Sequence, residues 1–436
     1  MNDRPSSVSR RGFLRRSTLA AASTAAAPYV IPSSALGLNG IVPPSERIVL
    51  GLIGLGKISR GHFGSMLNHP GVQIAAVCDV DRTKREDKKT AAESRYAQNR
   101  PSGTWRGVDA YNEYERIVER DDIDACFVMT PDHWHVPIAM AAVRSGQDVY
   151  CEKPMSLTIR EGRMLSDAVR RYGRVLQVGS QQRSNTAFRR AAEIVRNGWI
   201  GKVHTIYARL GTFPPPLALP EQPVPEGFDY DRWLGRAPWH PYHPERVSGS
   251  FSRGWRRFWD YGSRKNGDWG AHHYDIIQWA LGMQYSGPEF FFPVGHEGSE
   301  HQGFRYADGT TVLRDHPAPS GQMIHFIGED GVVAVSRRDV LITEPAHLAT
   351  LPLSPSDEHL YVSDNHRENF LECVRSRRHP IADVEIGHRT ATICHLSAIS
   401  ERLGRTLKWD PDREAILGNR EASRWMARPR RAPYTL

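Results

Sequence analysis

Short apolar runs alternate with amphipathic stretches from Ile48 to Val178, and then the alternation stops. Runs at 48–53, 72–78, 123–129, 148–151 and 174–178 are rich in β-branched residues and read as buried strands. The stretches between them, ending near Leu67 and covering 111–119, 136–145 and 158–171, read as helices, with Gly146 suited to a C-cap. Residues 80–100 are highly charged and read as an exposed helix and loop. This order predicts a parallel sheet with helices on its faces. From Gly179 the pattern becomes mixed: a helix at 187–197, a strand at 202–210, a helix at 275–283, a strand-rich region at 290–347 and helices near 365–377 and 387–403. Residues 212–265 have no regular period but are rich in Pro, Trp and Tyr. A loop this long is functional or disordered, and its aromatic content argues for a wall over a site. The expected organisation is a leader and linker at 1–40, a first domain at 46–178, a second at 179–408 and a basic tail at 409–436 that packs across the surface or a neighbouring subunit. No internal repeat is apparent.

The first strand runs directly into Gly54-Leu55-Gly56-Lys57-Ile58-Ser59, and the second ends on Asp79, ~20 residues later. Strand, glycine turn, helix, strand and acid form the first unit of a dinucleotide-binding fold. Gly54 permits a tight turn, Gly56 lets the backbone approach a pyrophosphate, and Lys57, Ile58 and Ser59 open the helix whose free N–H groups favour negative charge. Ser59 stands where Gly or Ala is usual but is still small. Asp79 is placed to bind ribose hydroxyls. It would repel a 2′-phosphate and so favours NAD, whereas Arg82, Lys84 and Arg85 just beyond it keep NADP open. Ligands of such sheets lie beyond the carboxyl ends of the strands. This adds Thr130, Pro131 and His135 after the 123–129 strand, and Glu152 and Lys153 after the 148–151 strand.

Composition narrows the reading only a little. The chain of 436 residues carries a formal charge of +8, of which five arginines and one aspartate in residues 1–40 supply half. The remaining basic residues are scattered among acids, and no nucleic-acid footprint appears. No apolar run is long enough to span a bilayer. The five cysteines include no CxxC pair and read as buried free thiols rather than a disulfide framework or a zinc site. Ser9-Arg10-Arg11-Gly12-Phe13-Leu14, followed by an Ala-rich stretch, reads as a twin-arginine export signal, cleaved or retained as an anchor. This places the protein in the periplasm or otherwise outside the cytoplasm.

The chemistry-bearing residues gather in three further motifs: TPDHWH at 130–135, CEKP at 151–154 and NGDWGAHHYD at 266–275. A lysine at a strand's carboxyl end beside a cofactor, as Lys153 is, can donate to a hydroxyl or carbonyl oxygen and stabilise alkoxide character. Asp268 and His272, spaced i and i+4, share a face if helical. They suit a carboxylate-held general base, though Asp268 equally suits an N-cap and His272 a buried polar position. Four histidines, His133, His135, His272 and His273, with Trp134 do not form a metal-ligand spacing, so no metal is expected.

Together with GLIGLGKIS and the domain order, these motifs resemble the glucose–fructose oxidoreductase/inositol dehydrogenase/MocA family over roughly 47–410. The resemblance implies an N-terminal Rossmann doubly wound sheet. It also implies a C-terminal α/β domain whose open, mostly antiparallel sheet often makes oligomer contacts, hence a homo-oligomer. It matches Lys153, Asp268 and His272 to the family's catalytic residues, makes Asp275 a structural partner, and puts Arg183 and Asn185 near substrate. His273 departs from many relatives and is expected to reach substrate, as is His135. Arg256 and Arg257 read either as hydroxyl-binding or as packed arginines. The function implied is hydride transfer between a tightly held NAD or NADP and a sugar, polyol or glycoside. A glycoside hydrolase using transient oxidation and a non-catalytic sugar binder are the alternatives.

Overall fold

A computed structural model describes residues 42–98, 105–215, 218–318 and 321–434. The twin-arginine stretch lies outside them. Residues 1–47 and 48–436 form separate units. In the first, a single turn at Pro44–Glu46 is closed by the Arg47 guanidinium donating to the Val42 carbonyl.

In the second unit six strands form a parallel sheet: β1 (Ile48–Ile53), β2 (Val72–Cys78), β3 (Asp109–Tyr111), β4 (Ala125–Val128), β5 (Asp148–Cys151) and β6 (Leu176–Val178), ordered 3-2-1-4-5-6. That order reverses direction at β1, which opens a crevice at the carboxyl ends of β1 and β4. β1, β2, β4 and β5 are buried on both faces, as expected of continuous apolar runs. Two assignments differ from the pattern. Tyr111 closes β3, a three-residue edge strand too short to show a period, and only Glu115–Val118 of the expected 111–119 helix is helical. The helix after β4 begins at Asp132 rather than 136, so Asp132, His133, Trp134 and His135 belong to its first turns and not to a loop. Pro137 sits inside this helix near its start.

The second sheet has nine strands: β7 (Val203–Ala208), β8 (Phe290–Phe292), β9 (Gly303–Arg305), β10 (Thr311–Arg314), β11 (Ile324–Gly328), β12 (Val332–Ser336), β13 (Val340–Glu344), β14 (Leu407–Asp410) and β15 (Ala415–Leu417). Only the β7–β10 pair is parallel. Trp409, where the expected tail begins, is buried inside β14. A 20-residue helix, Val384–Leu403, joins the two halves by packing on the Ile159–Arg171 and Gly270–Ala280 helices. Gly162 allows the first contact, because a Cβ there would lie 2.5 Å from His388 Nδ1. The His366–Ser376 helix returns to the first half, placing Phe370, Leu371 and Cys373 in the core under β1 and β4. All five cysteines are free and buried.

Candidate active site

The glycine turn leaves β1 with Gly54 at φ +87°, a conformation that favours glycine. A Cβ at Gly54 would also fall 2.8 Å from the Met129 and Thr130 backbone. Gly56, by contrast, faces open space. Ser59 is fully buried and donates to the Gly56 carbonyl at 2.7 Å, so the serine pins the turn rather than blocking helix–strand approach. The Asp79 carboxylate accepts from Leu55 N at 2.7 Å and from Asp81 N at 2.9 Å, tying the end of β2 to the turn. Burial raises Asp79 above the usual carboxylate range, against Lys84 and the two backbone donors.

Gly54, Gly56 and Asp79 line a cavity of about 620 Å³, together with Lys57, Ile58, Thr130 and Pro131. Its far wall comes from the 212–265 segment. Phe228, Trp233, Tyr242 and Trp255 face the cavity and belong to one aromatic cluster. Arg82 N donates to the Gly227 carbonyl and Asp229 N to the Val80 carbonyl, so the wall is stitched to the end of β2. An adenosine and two phosphates fit this donor set: a Cβ-free turn, a helix N-terminus, a fixed carboxylate and aromatic faces.

A smaller cavity of about 50 Å³ adjoins it, sharing Ile58, Thr130, Trp255 and Arg256. Lys153, Asp132, Glu152 and Asp268 line it. Lys153 Nζ donates to the Asp268 carboxylate at 3.1 Å and to its backbone carbonyl at 2.7 Å. Arg256 and Lys265 also lie against that carboxylate, at 3.5 and 3.7 Å. Burial pushes Asp268 up, but Lys153, Arg256 and Lys265 outweigh it and hold the carboxyl below its usual range. Glu152 faces inward: Oε1 meets His62 Nε2 and Gln181 Nε2 at 2.9 Å each, and Oε2 accepts from Lys153 N at 3.2 Å. Burial opposes its ionisation, yet the His62 contact, with Lys153 and His135 nearby, holds it low. Glu152 therefore fixes the backbone from which Lys153 projects.

Other expected residues are placed differently. Asp268 makes no hydrogen bond to His272. It ends a short helix, Arg264–Asp268, and His272 lies in the first turn of the next, Gly270–Ala280. The i,i+4 argument assumed one helix, and Trp269 divides it in two. His272 is 7% exposed and its Nδ1 has no partner. Burial, then the charges of Lys153 and Arg337, push its imidazole well below its ordinary value and keep it neutral. Burial likewise pushes the fully buried His273 down to about 3. The His135 ring spans two carbonyls, Pro154 O at 2.7 Å and Thr130 O at 2.9 Å, which ties the ends of β4 and β5 together and leaves no ring nitrogen for substrate. Arg183 is 1% exposed and clasps Asp275 at 2.7 and 2.9 Å, so it is a core residue. Asn185 accepts from Phe188 N as a helix cap and donates to Asp339. Arg256 stacks over Trp255 at 4.2 Å and lines both cavities, whereas Arg257 is packed on the Pro214 and Pro215 carbonyls.

Asp132 is the residue the sequence reading passed over. It is 4% exposed, accepts from Ser263 N at 3.2 Å and faces the small cavity beside Lys153. Burial raises it to about 6, against His135 and Lys153. Its signal was the acid directly after Pro131, in the turn that follows β4. The Thr130 hydroxyl, expected from the sequence, lies on the same rim, buried and without a hydrogen-bond partner among the described residues.

Family models match both halves: an oxidoreductase-family NAD-binding Rossmann fold over residues 48–180 and an oxidoreductase-family C-terminal α/β domain over 215–436. The chain belongs to the Gfo/Idh/MocA oxidoreductase family. Curated relatives include an uncharacterised oxidoreductase, YrbE, of Bacillus subtilis, 27% identical over 44% of this chain and 49% of that protein. A glycosyl hydrolase family 109 protein of Shewanella sp. is 32% identical over 36% of each chain. The matches thus span half or less of these relatives. Similar solved structures include the WlbA dehydrogenase of Bordetella pertussis, in complex with NADH and UDP-GlcNAcA (TM-score 0.57, 18% identity, 84% of this chain and 99% of that one). Another is scyllo-inositol dehydrogenase of Lactobacillus casei with NAD(H) and scyllo-inositol (TM-score 0.53, 15% identity, 83% and 99%). At these identities the likeness is one of fold.

Proposed function

We propose that this Gfo/Idh/MocA protein oxidises and reduces a CH–OH carbon of a sugar, polyol or glycoside, using a nicotinamide dinucleotide that it retains. The observation that carries the reading is the Lys153 ammonium, held by Asp268 in a small cavity continuous with the dinucleotide-sized one. Gly54, Gly56, Ser59 and Asp79 would hold the dinucleotide, and its nicotinamide would supply a hydride acceptor and donor at C4. Asp79 favours NAD over NADP. Lys153 donates to the substrate oxygen and stabilises the negative charge that grows there as the proton leaves. Arg256, stacked on Trp255, offers its remaining N–H groups to neighbouring hydroxyls. The motif position assigns the proton to His272, which burial keeps neutral and therefore able to accept one. Asp132 is the competing acceptor, because it faces the cavity and titrates near neutrality.

The wall stitched over the cavity and the twin-arginine motif of the sequence support retention. A protein exported through the twin-arginine route, already folded, reaches a compartment without a dinucleotide pool, so the cofactor must be reset within each cycle. A homo-oligomer built on the open nine-stranded sheet is part of this reading. The family 109 relatives support a second one, in which oxidation is transient and a glycosidic bond is cleaved without net redox change. Product analysis separates the two. Incubation with paired sugars should yield one oxidised and one reduced product, whereas release of an aglycone with no oxidised sugar assigns the hydrolase. Neither product from a broad panel of sugars and glycosides would sink the proposal.

A further inference from the structure

The end of the chain builds a cavity unrelated to the redox site. Residues 420–434 pack over the 230–261 wall: Arg431 donates to the Asp231 carboxylate and the Gly235 carbonyl, and Tyr434 donates to Asp231. Between tail and wall lies a space of about 430 Å³ that shares no lining residue with the two cavities above. Five arginines line it, Arg236, Arg402, Arg424, Arg428 and Arg430, against two carboxylates, Glu161 and Asp260.

The arginines are not neutralised from within. Glu161 is shared, pairing with Arg236 and standing 3.5 Å from Arg430. Arg402 lies over the Trp259 ring at 4.6 Å and the Trp425 ring at 5.1 Å, and Arg428 over Trp259 at 4.1 Å. Arg428 also donates from Nη1 to the Trp259 carbonyl, whereas face stacking leaves the in-plane N–H fork of Arg402 free for an oxyanion. Among the described residues Arg402 makes those ring contacts but no side-chain hydrogen bond or ion pair, and Arg424 makes neither. Arg236 is 6% exposed, and its Nη1 is buried with no hydrogen-bond partner. Burying a guanidinium with an unpaired arm is costly, so a site of this kind implies a missing acceptor. Burial pushes Arg428 down to about 10, against the nearby Asp260 and Glu161 carboxylates.

We propose that this cavity binds a small multivalent oxyanion, a phosphate or sulfate group or a polycarboxylate, at a site separate from the redox centre. The charge excess selects the sign, the guanidinium forks select planar or tetrahedral oxyanions, and the volume admits a small molecule rather than a polymer. The test is titration calorimetry of the full chain with inorganic phosphate, inorganic sulfate, citrate and a sugar phosphate, at an ionic strength held constant with potassium chloride. Saturable binding of at least one probe is expected, weakened ~10-fold or more in Arg402→Gln and Arg424→Gln, since each removes a charge-assisted bidentate contact. Both positions are exposed, so these variants should keep their fold and their basal turnover. Tighter binding of the sugar phosphate than of inorganic phosphate would assign the site to a phosphorylated ligand; equal binding would assign it to the free anion. No saturable binding of any probe, or binding that both variants leave intact, would overturn the proposal. So would a dimer that dissociates in Arg402→Gln while no probe binds, because an acidic face of a second copy would then fill the cavity.

Discussion

Asp268 and Asp275 stand seven residues apart, the first partly buried and the second fully, both facing cations, yet they do different work. Asp275 is matched one to one: Arg183 grips both its oxygens, Thr390 adds a donor at 3.1 Å, and each member of the ion pair is 1% exposed. Nothing is left over for a ligand. Asp268 is outnumbered by Lys153, Arg256 and Lys265, and it lines a cavity. A carboxylate with a surplus of cations leaves donors over for an incoming oxygen, and that surplus distinguishes a site from a strut.

Removing the surplus cation should have the largest effect. Lys153→Met is expected to lower turnover ~10²–10⁴-fold, the usual contribution of a positioned proton donor, while cofactor content and melting temperature stay near those of the parent. Equal loss of fold and activity would make Lys153 a strut like Arg183. The mirror experiment is Arg183→Ala. It strands a buried Asp275 carboxylate and should cost about 3–5 kcal/mol in denaturant unfolding, with no selective change in KM in whatever protein folds. A stable Arg183→Ala protein with weakened substrate binding would return Arg183 to the site.

Asp132 gives the smallest and sharpest test. Its pKa in the fold, about 6, lies above its ordinary 3.8, so the fold prefers the protonated form. The stabilisation is complete below the ordinary value and is lost as pH rises through about 6. Asp132→Asn should therefore be more stable than the parent above that pH, by at most about 3 kcal/mol. If Asp132 accepts the proton, the acid limb near pH 6 in kcat/KM disappears in this variant and the rate falls. If His272 accepts it, the limb persists and His272→Asn carries the loss instead.

Legibility followed sequence distance. The glycine turn, Asp79 and the strand runs were readable because their signals are local periodicity and spacing. β3 was not, because three edge residues carry no pattern. The helix that starts at Asp132 was masked by Pro137, which reads as a boundary although proline is tolerated near a helix N-terminus. At the site, Lys153, Asp268 and His272 were all named, but Asp268 was given the wrong neighbour. Its real partner lies 115 residues away, and no spacing rule reaches that far. Arg183 and Asp275 fail the same way across 92 residues, which is why a core pair looked like a substrate contact. The aromatic wall was legible as a wall, but its stitching to Val80 and Arg82 was not.

The central claim is that this crevice and its wall hold a nicotinamide dinucleotide beside Lys153. The direct measurement is to purify the full-length protein without added cofactor, denature it and quantify the dinucleotide released. Near-stoichiometric NAD is the predicted result. A protein that emerges empty, and that binds added NAD or NADP only weakly, would contradict the account.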